Sequence, residues 1–360
     1  MTDETKNTLK VASVYVSSII GAGFASGQEI VQFFTRYFRG GFYGILMSGA
    51  LFAVLGYLVL DKVYRERIRN LDEFLIPTVG WIPGKIINFV SSLFMLSVYI
   101  IMIAGLGNVL QDRLFIPFNL AVVLMSLLCM MFILWDIKGV LAICSIITPV
   151  LILGIIIVGV LVLISPESYE AFAPISLLHD IRFNWLASSL LYVGYNSIIS
   201  IAMMCSLLPY LKSRRVGIAG GISGGIVLCL IAMILNTVIM AFAPDILSRE
   251  LPVLDIIKKH GRFMSNIYAM LLWLAMLTSA VTSGYCFIDR LAAKVKISRR
   301  MITLIICPLT VPLSRIGFSS LISAIYPVFG YFGLFLVIAT LIQGVGIKPG
   351  LKVKKSKRRV

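Results

Sequence analysis

The residues best suited to chemistry lie in an apolar stretch near the start of the chain. Three glycines, Gly21, Gly23 and Gly27, fall within seven residues. Ser26 precedes the last of them, and Glu29 follows it. Glycine permits unusual backbone conformations and lets a ligand approach the main chain closely. The stretch therefore predicts an interrupted helix with a main-chain binding site beside a carboxylate. Gly23 and Gly27 at four-residue spacing are also typical of a close helix–helix contact, and this alternative stays open.

A second polar cluster lies about half a chain further on, inside another apolar stretch. It comprises Tyr192, Gly194, Tyr195, Asn196 and Ser197. A glycine among polar side chains in mid-stretch predicts a second interrupted helix. Tyr99, in a third apolar stretch, is a weaker candidate because a tyrosine there often only hydrogen-bonds a neighbouring helix.

The elements that must hold these clusters are membrane-spanning helices. Hydrophobic residues make up 59% of the 360 residues and charged residues 13%, and mean hydropathy is +0.99. A soluble domain of this length needs more polar surface. Uncharged stretches such as Val140–Ser165 can cross a hydrocarbon core of about 30 Å. Because lipid offers no partner for backbone groups, the sequence predicts an all-α integral membrane protein.

Apolar runs between charged connections predict ten spans in a single transmembrane domain. They are Leu9–Phe34, Phe42–Leu60, Gly84–Leu110, Phe115–Leu134, Val140–Ile164, Phe183–Leu208, Val216–Phe242, Phe263–Ile288, Met301–Leu313 and Leu321–Ile342. A basic tail occupies residues 343–360.

The basic residues are distributed unevenly between the two predicted sides. Most of the 32 lysines and arginines fall in alternate connections and in the tail, which the positive-inside rule places in the cytoplasm. We therefore expect a multi-pass protein of the cell membrane with both termini cytoplasmic. The tail is interpreted as an orientation anchor or, alternatively, as a contact for anionic lipid. Basic residues occur in every inner loop, so the net charge of +16 does not indicate nucleic-acid binding.

The two polar clusters occupy corresponding places in the chain. Gly21 lies in the first of the ten spans and Gly194 in the sixth. Five spans that start inside, followed by five that start outside, form inverted repeats over about 9–164 and 183–342. Paired interruptions in corresponding helices point to the central site of a transporter. The sequence thus predicts 5+5 inverted repeats with interrupted first and sixth helices.

The run from Ile20 to Glu29 also carries a family resemblance. Its first part, Ile20-Gly-Ala-Gly-Phe24, resembles the first-helix signature of the amino acid–polyamine–organocation superfamily, whose fold is that of the bacterial leucine transporter. The whole run is similar to YkvI-type bacterial membrane proteins. The resemblance implies a secondary transporter that carries a small amino acid or related amine by alternating access. Its substrate would contact Gly21, Ala22, Gly23, Phe24, Ser26, Gly27, Tyr99, Tyr192, Gly194, Tyr195, Asn196 and Ser197.

The same resemblance implies a site for a coupling sodium ion. The stretch from Ala275 to Ser279 is similar to the eighth helix of sodium-coupled members. Carried over, the ligands are the carbonyls of Ser17, Ile20 and Ala275 and the hydroxyls of Thr278 and Ser279. Sodium, a hard cation, is expected to prefer such oxygen ligands. The hydroxyls can instead bond to their own helix, which is the competing interpretation.

Glu29 supports a different form of coupling. It is an acidic residue well inside a predicted span, where a carboxylate is a functional candidate by default. It would bind a proton or contact a cationic group of the substrate. Alternatively it caps a half-helix or pairs with Arg36 or Arg39.

Other function classes lack the residues they need. The sequence contains no G-x-x-x-x-G-K-[ST] loop, so no ATPase activity is expected. It also lacks an H-E-x-x-H helix, so neither an enzyme nor a cofactor beyond the sodium ion is expected. The expected partners are a small-molecule substrate and the lipid bilayer. Nutrient-sensing receptor subunits of spores share the ten-span plan, so a sensor that does not transport is the alternative.

Overall fold

The computed structural model describes residues 3–165, 184–243, 246, 247, 249, 251–314 and 318–344, with side chains in the last range from residue 329. Regular structure in these ranges is helical. The helices are α1 Asp3–Ser17, α2 Ala22–Ser26, α3 Gln28–Phe33, α4 Arg39–Glu66, α5 Leu71–Val79, α6 Trp81–Leu114, α7 Phe118–Leu134, α8 Ile137–Leu163, α9 Trp185–Ser206, α10 Arg214–Ala241, α11 Pro252–Lys259, α12 Arg262–Lys294, α13 Arg299–Leu313 and α14 Phe318–Gly344.

Long apolar helices dominate the described chain. Six of them, α4, α6, α8, α9, α10 and α12, are long and apolar enough to cross a membrane. Many of their large hydrophobic side chains are exposed on the outer surface, as expected for a surface that faces lipid. The predicted all-α membrane architecture is confirmed.

The first apolar stretch is divided into three short helical pieces. Helix α1 ends at Ser17, and α2 begins only at Ala22. Gly27 separates α2 from α3 with a φ of +85°, a left-handed conformation that favours glycine. A Cβ atom at Gly27 would also lie 2.6 Å from Cγ2 of Val253, because α11 packs over this turn.

Helices α4 and α10 form the most extensive helix pair. Their backbones meet at Gly56 and Gly221, where a Cβ atom added to Gly221 would lie 2.4 Å from the carbonyl carbon of Gly56. Small residues are enriched where membrane helices approach this closely. The glycine-rich sequence of α10 is therefore explained by packing.

Substituting Gly221 by alanine is expected to destabilise the protein by about 1–3 kcal/mol, because the new methyl group meets backbone that has no rotamer to change. Gly217 on the same helix is the matched control, since its Cβ would meet Leu60 at an ordinary 3.4 Å. Thermal unfolding of both purified variants checks this. Equal stability of the two variants would contradict the packing argument.

The sixth predicted span differs from its prediction. Helix α9 runs without a break from Trp185 to Ser206, so the interruption predicted around Gly194 is wrong. A Cβ at Gly194 would lie 2.5 Å from the carbonyl oxygen of Gly330 on α14, which shows that this glycine allows close helix packing. The polar side chains of Asn196 and Ser197 bond to carbonyls one turn earlier, at 3.0 and 2.6 Å.

Candidate functional site

A buried carboxylate joins the divided first segment to α9. Glu29, in the first turn of α3, is only 3% exposed. The hydroxyl of Tyr195 donates a hydrogen bond of 2.6 Å to its Oε2 atom. Gly23 makes room for this arrangement, because a Cβ there would lie 2.4 Å from Oε1 of Glu29. Among the described residues no cation forms an ion pair with Glu29, so the predicted pairing with Arg36 or Arg39 is not found there.

Aromatic rings surround this carboxylate. Phe33 lies one turn after Glu29, and its ring centroid is 5.5 Å from those of both Tyr192 and Tyr195. The Tyr192 hydroxyl is buried and has no hydrogen-bond partner within the described part of the chain. The site therefore contains a carboxylate, a bonded hydroxyl and a hydroxyl without a described partner, with the ring of Phe33 beside the two tyrosines.

The other substrate residues predicted on the first segment are all buried. Gly21, Ala22 and Phe24 lie at the α1–α2 break, and the Ser26 hydroxyl bonds back to the Gly23 carbonyl at 3.2 Å. The structure thus brings part of the first cluster together with Tyr195.

Other predicted substrate residues lie elsewhere. The Tyr99 ring packs against α12, and its Cδ2 atom lies 3.0 Å from the position that a Cβ atom on Gly284 would occupy. Gly194 faces α14, and the side chains of Asn196 and Ser197 bond within α9.

Tyr268 on α12 is a site residue that the sequence reasoning missed. Its hydroxyl donates to the carbonyl of Ala25 at 2.6 Å and ties α2 to α12. Tyr268 precedes Ala275 by seven residues, which is two helical turns, so it lies on the same face as the predicted ion ligands. That spacing was the available signal.

The predicted sodium ligands meet in part. The Ser279 hydroxyl donates to the carbonyl of Ile20 at 3.0 Å, across the break in the first segment. The Thr278 hydroxyl donates to the Ala275 carbonyl at 3.0 Å, as the back-bonding alternative requires. Both hydroxyl oxygens keep lone pairs for a cation. Ser17 ends α1, and no described backbone N–H bonds to its carbonyl or to that of Ile20. This donor set suits a hard cation.

An open vestibule of about 710 Å³ lies at the C-terminal end of α9. Its wall includes Cys205, Tyr285 and several charged side chains. Arg299 forms ion pairs with Asp136 and with Asp289, the latter at 3.4 Å, and stacks 4.4 Å from the Tyr285 ring centroid. By contrast, α11 covers the Gly27 end of the site. Helix α11 therefore packs over the Gly27 turn, and the vestibule lies beside the C-terminal end of α9.

No family model matches the chain. Two Bacillus subtilis proteins are similar to it over nearly their whole length. The membrane protein YkvI is 27% identical over 334 residues, which cover 93% of this chain and 95% of YkvI. YyaD is 29% identical over 337 residues, covering 94% and 97%.

Several solved transporters share the fold. A Na⁺-coupled sialic acid symporter aligns with a TM-score of 0.65 at 14% identity, covering 92% of this chain and 78% of the symporter. A manganese transporter of Eremococcus coleocola gives 0.61 at 16%, covering 98% and 82%. MhsT, solved with L-phenylalanine, gives 0.61 at 16%, covering 95% and 92%. The resemblance to YkvI-type proteins and to the leucine-transporter fold is confirmed, and these neighbours are transporters rather than enzymes.

Proposed function

We propose that this protein is a secondary active transporter that moves a small amino acid or related amine with sodium by alternating access. In this proposal the helical segments form ten spans in two inverted repeats, with both termini cytoplasmic. The fold shared with Na⁺-coupled symporters supports the transport class. The substrate is proposed from the sequence resemblance.

The observation that carries the proposal is the contact between Ser279 and Ile20 across the broken first segment. An ion between these atoms would hold α1 and α12 together at the point where the helix is divided. Loss of the ion would free the first segment to move against α12. A bound ion can drive a transport cycle only if it binds one conformation of the protein more tightly than the other.

The position of the vestibule fits an inward-facing state. With the basic connections in the cytoplasm, α11 lies on the outer side and the vestibule opens to the cytoplasm. Of its two wall residues on α12 within the described chain, Tyr285 is the nearer to Thr278 and follows it by seven residues, or about 10 Å along the helix. A released ion or solute would therefore have a short path to the cytoplasm.

The test is thermal unfolding of the purified protein in NaCl and in matched choline chloride. A ligand that binds the folded state at a hundred times its Kd stabilises it by about 2.7 kcal/mol. We expect sodium to raise the melting temperature, and Ser279→Ala and Thr278→Ala to remove that rise. Ser283→Ala is the control, because the Ser283 hydroxyl bonds to the Ser279 carbonyl within α12.

Sodium-specific stabilisation that persists in Ser279→Ala and Thr278→Ala would overturn the assigned ligands. An absence of sodium stabilisation would overturn sodium coupling. A panel of amino acids and amines, added with sodium, then identifies the solute. Binding of a solute without uptake by proteoliposomes would indicate a sensor.

Proton coupling is the second candidate, and the buried Glu29–Tyr195 pair favours it. A carboxyl group inside an apolar span is stable when it is protonated, or when its ionised form accepts a hydrogen bond such as that from Tyr195. In this version Glu29 takes up the proton, and sodium has no effect on stability. If protons drive transport, Glu29→Gln removes the dependence of uptake on the proton gradient. If sodium drives transport, Ser279→Ala removes the dependence of uptake on sodium.

A further inference from the structure

A polar cavity of about 290 Å³ lies where the ends of α4 and α14 meet the start of α10. This volume is close to the lower end for small-molecule pockets, about 300 Å³. The cavity is separate from the divided first segment and from the vestibule. Its wall includes Asp61, Lys62, Arg65, Arg214 and Gln343.

Lys62 contributes a buried positive charge that no carboxylate within the described residues contacts. It is 7% exposed, and its ammonium group donates to Thr78 Oγ1 at 2.8 Å and to Gln343 Oε1 at 2.5 Å. The group also lies 4.5 Å from the ring centroid of Phe74. All three partners are uncharged, and the carboxylate of Glu66 on the same wall acts on the ammonium group without forming an ion pair with it.

Two arginines share one buried carboxylate on the same wall. Asp61 forms an ion pair with Arg65 Nε at 2.9 Å and accepts a hydrogen bond from Arg214 Nε at 2.5 Å. The Asp61 side chain is 4% exposed, whereas those of Arg65 and Arg214 are 61% and 53% exposed. Arg214 Nη2 also donates to Asp61 Oδ2 at 3.4 Å, and the exposed parts of the two guanidinium groups hold further N–H donors. With Glu66 counted, three cations and two carboxylates leave the cavity positively charged.

The surface beside the cavity is apolar. Val54 on α4 and Ile338 and Ile342 on α14 are 44–47% exposed within the apolar parts of these helices. Tyr57 lies on the cavity wall, and tyrosine is a residue type that is enriched at membrane interfaces.

We propose that this cavity binds the headgroup phosphate of an anionic phospholipid in the cytoplasmic leaflet. The guanidinium fork matches phosphate oxygens in geometry and charge. Basic cavities between spans on the cytoplasmic side suit such headgroups. The acyl chains would lie on Val54, Ile338 and Ile342. The leaflet follows from the proposed orientation, whereas the binding chemistry does not depend on transport.

The test is native mass spectrometry of the full-length protein released from nanodiscs of phosphatidylglycerol or phosphatidylcholine. We expect a retained phosphatidylglycerol that phosphatidylcholine does not replace. Arg214→Gln is expected to weaken this binding roughly tenfold, the equivalent of one charge-assisted hydrogen bond. Arg65→Gln is expected to act similarly, and each variant leaves Asp61 one arginine partner. Lys212→Gln, two residues before Arg214 and on the vestibule wall, is the matched control.

Equal retention of the two lipids would overturn the proposal, as would full retention in both arginine variants. An equal loss in Lys212→Gln would show that general charge, and not this cavity, holds the lipid. Displacement of the lipid by millimolar glycerol 3-phosphate would reassign the cavity to a soluble phosphate. If Arg214→Gln does not fold, Arg214→Lys replaces it as the test variant. Arg214→Lys should retain part of the lipid binding. The lipid measurement uses no ion gradient, so its outcome does not depend on the outcome of the transport assay.

Discussion

Replacing Gly23 by alanine is expected to destabilise the protein by about 2–3 kcal/mol, although alanine is the better helix former. The new Cβ would lie 2.4 Å from Oε1 of Glu29 and 2.7 Å from its Cγ, so the entire side chain must move. Glu29 would then lose its hydrogen bond from Tyr195. A bond to a charged acceptor contributes about 1.5–3 kcal/mol, and a buried acceptor left without one is costly. Thermal or chemical unfolding in sodium-containing buffer measures the loss.

Gly84→Ala is the control for Gly23→Ala. The nearest atom to a Cβ at Gly84 is 3.6 Å away, so alanine should be neutral there or should stabilise α6 by up to about 1 kcal/mol. A second comparison isolates the cause. In a Glu29→Ala background the clash is absent, and the cost of Gly23→Ala should fall to less than half. An unchanged cost would show that Glu29 is not the obstacle.

The division of the first segment could be predicted because its signal is local. Three glycines and a carboxylate within a few residues oppose a plain membrane helix wherever the segment packs. The structure ends α1 at Ser17 and places Gly27 in a left-handed conformation. The exact partners of the freed groups, such as Ser279 on α12, depend on residues more than 250 positions away in the chain.

The same reasoning failed at Gly194 because the explanation lies in a distant helix. Gly194 permits α14 to approach, with Gly330 and Gly333 as its facing residues. The sequence shows three glycines in two spans but does not show that they face one another. The polar Asn196 and Ser197 look like ligands in the sequence, yet each bonds to its own helix. A glycine in a membrane helix thus has two explanations, and only the packing partner decides between them.

Glu29 illustrates the intermediate case. Its burial in an apolar span indicates a specific partner, and the sequence offered Arg36 and Arg39 nearby. The structure instead supplies Tyr195, a neutral donor from α9. A neutral donor holds either form of the carboxyl group, whereas an arginine would fix the charged form. This choice of partner keeps both sodium and proton coupling chemically consistent with the site.

Removing the hydroxyl group from either of two neighbouring tyrosines is expected to affect the stability of the protein differently. Tyr195→Phe deletes the donor to Glu29 and should destabilise the protein by about 1–3 kcal/mol. Tyr192→Phe deletes a buried hydroxyl that has no described partner, and should be neutral or slightly stabilising. The rings that contact Phe33 remain in both variants. Thermal unfolding checks both, and a greater loss in Tyr192→Phe would contradict the hydrogen-bond assignment.

Glu29→Gln separates the structural role of this side chain from a coupling role. The amide oxygen of glutamine still accepts from Tyr195, so stability should stay within about 1 kcal/mol of the original protein. Glutamine cannot exchange a proton, so any dependence of solute uptake on a pH gradient should disappear if Glu29 is the coupling group. If sodium drives transport, uptake by proteoliposomes keeps its sodium dependence in Glu29→Gln and loses it in Ser279→Ala. Retention of a pH-driven component in Glu29→Gln would exclude Glu29 as the proton site.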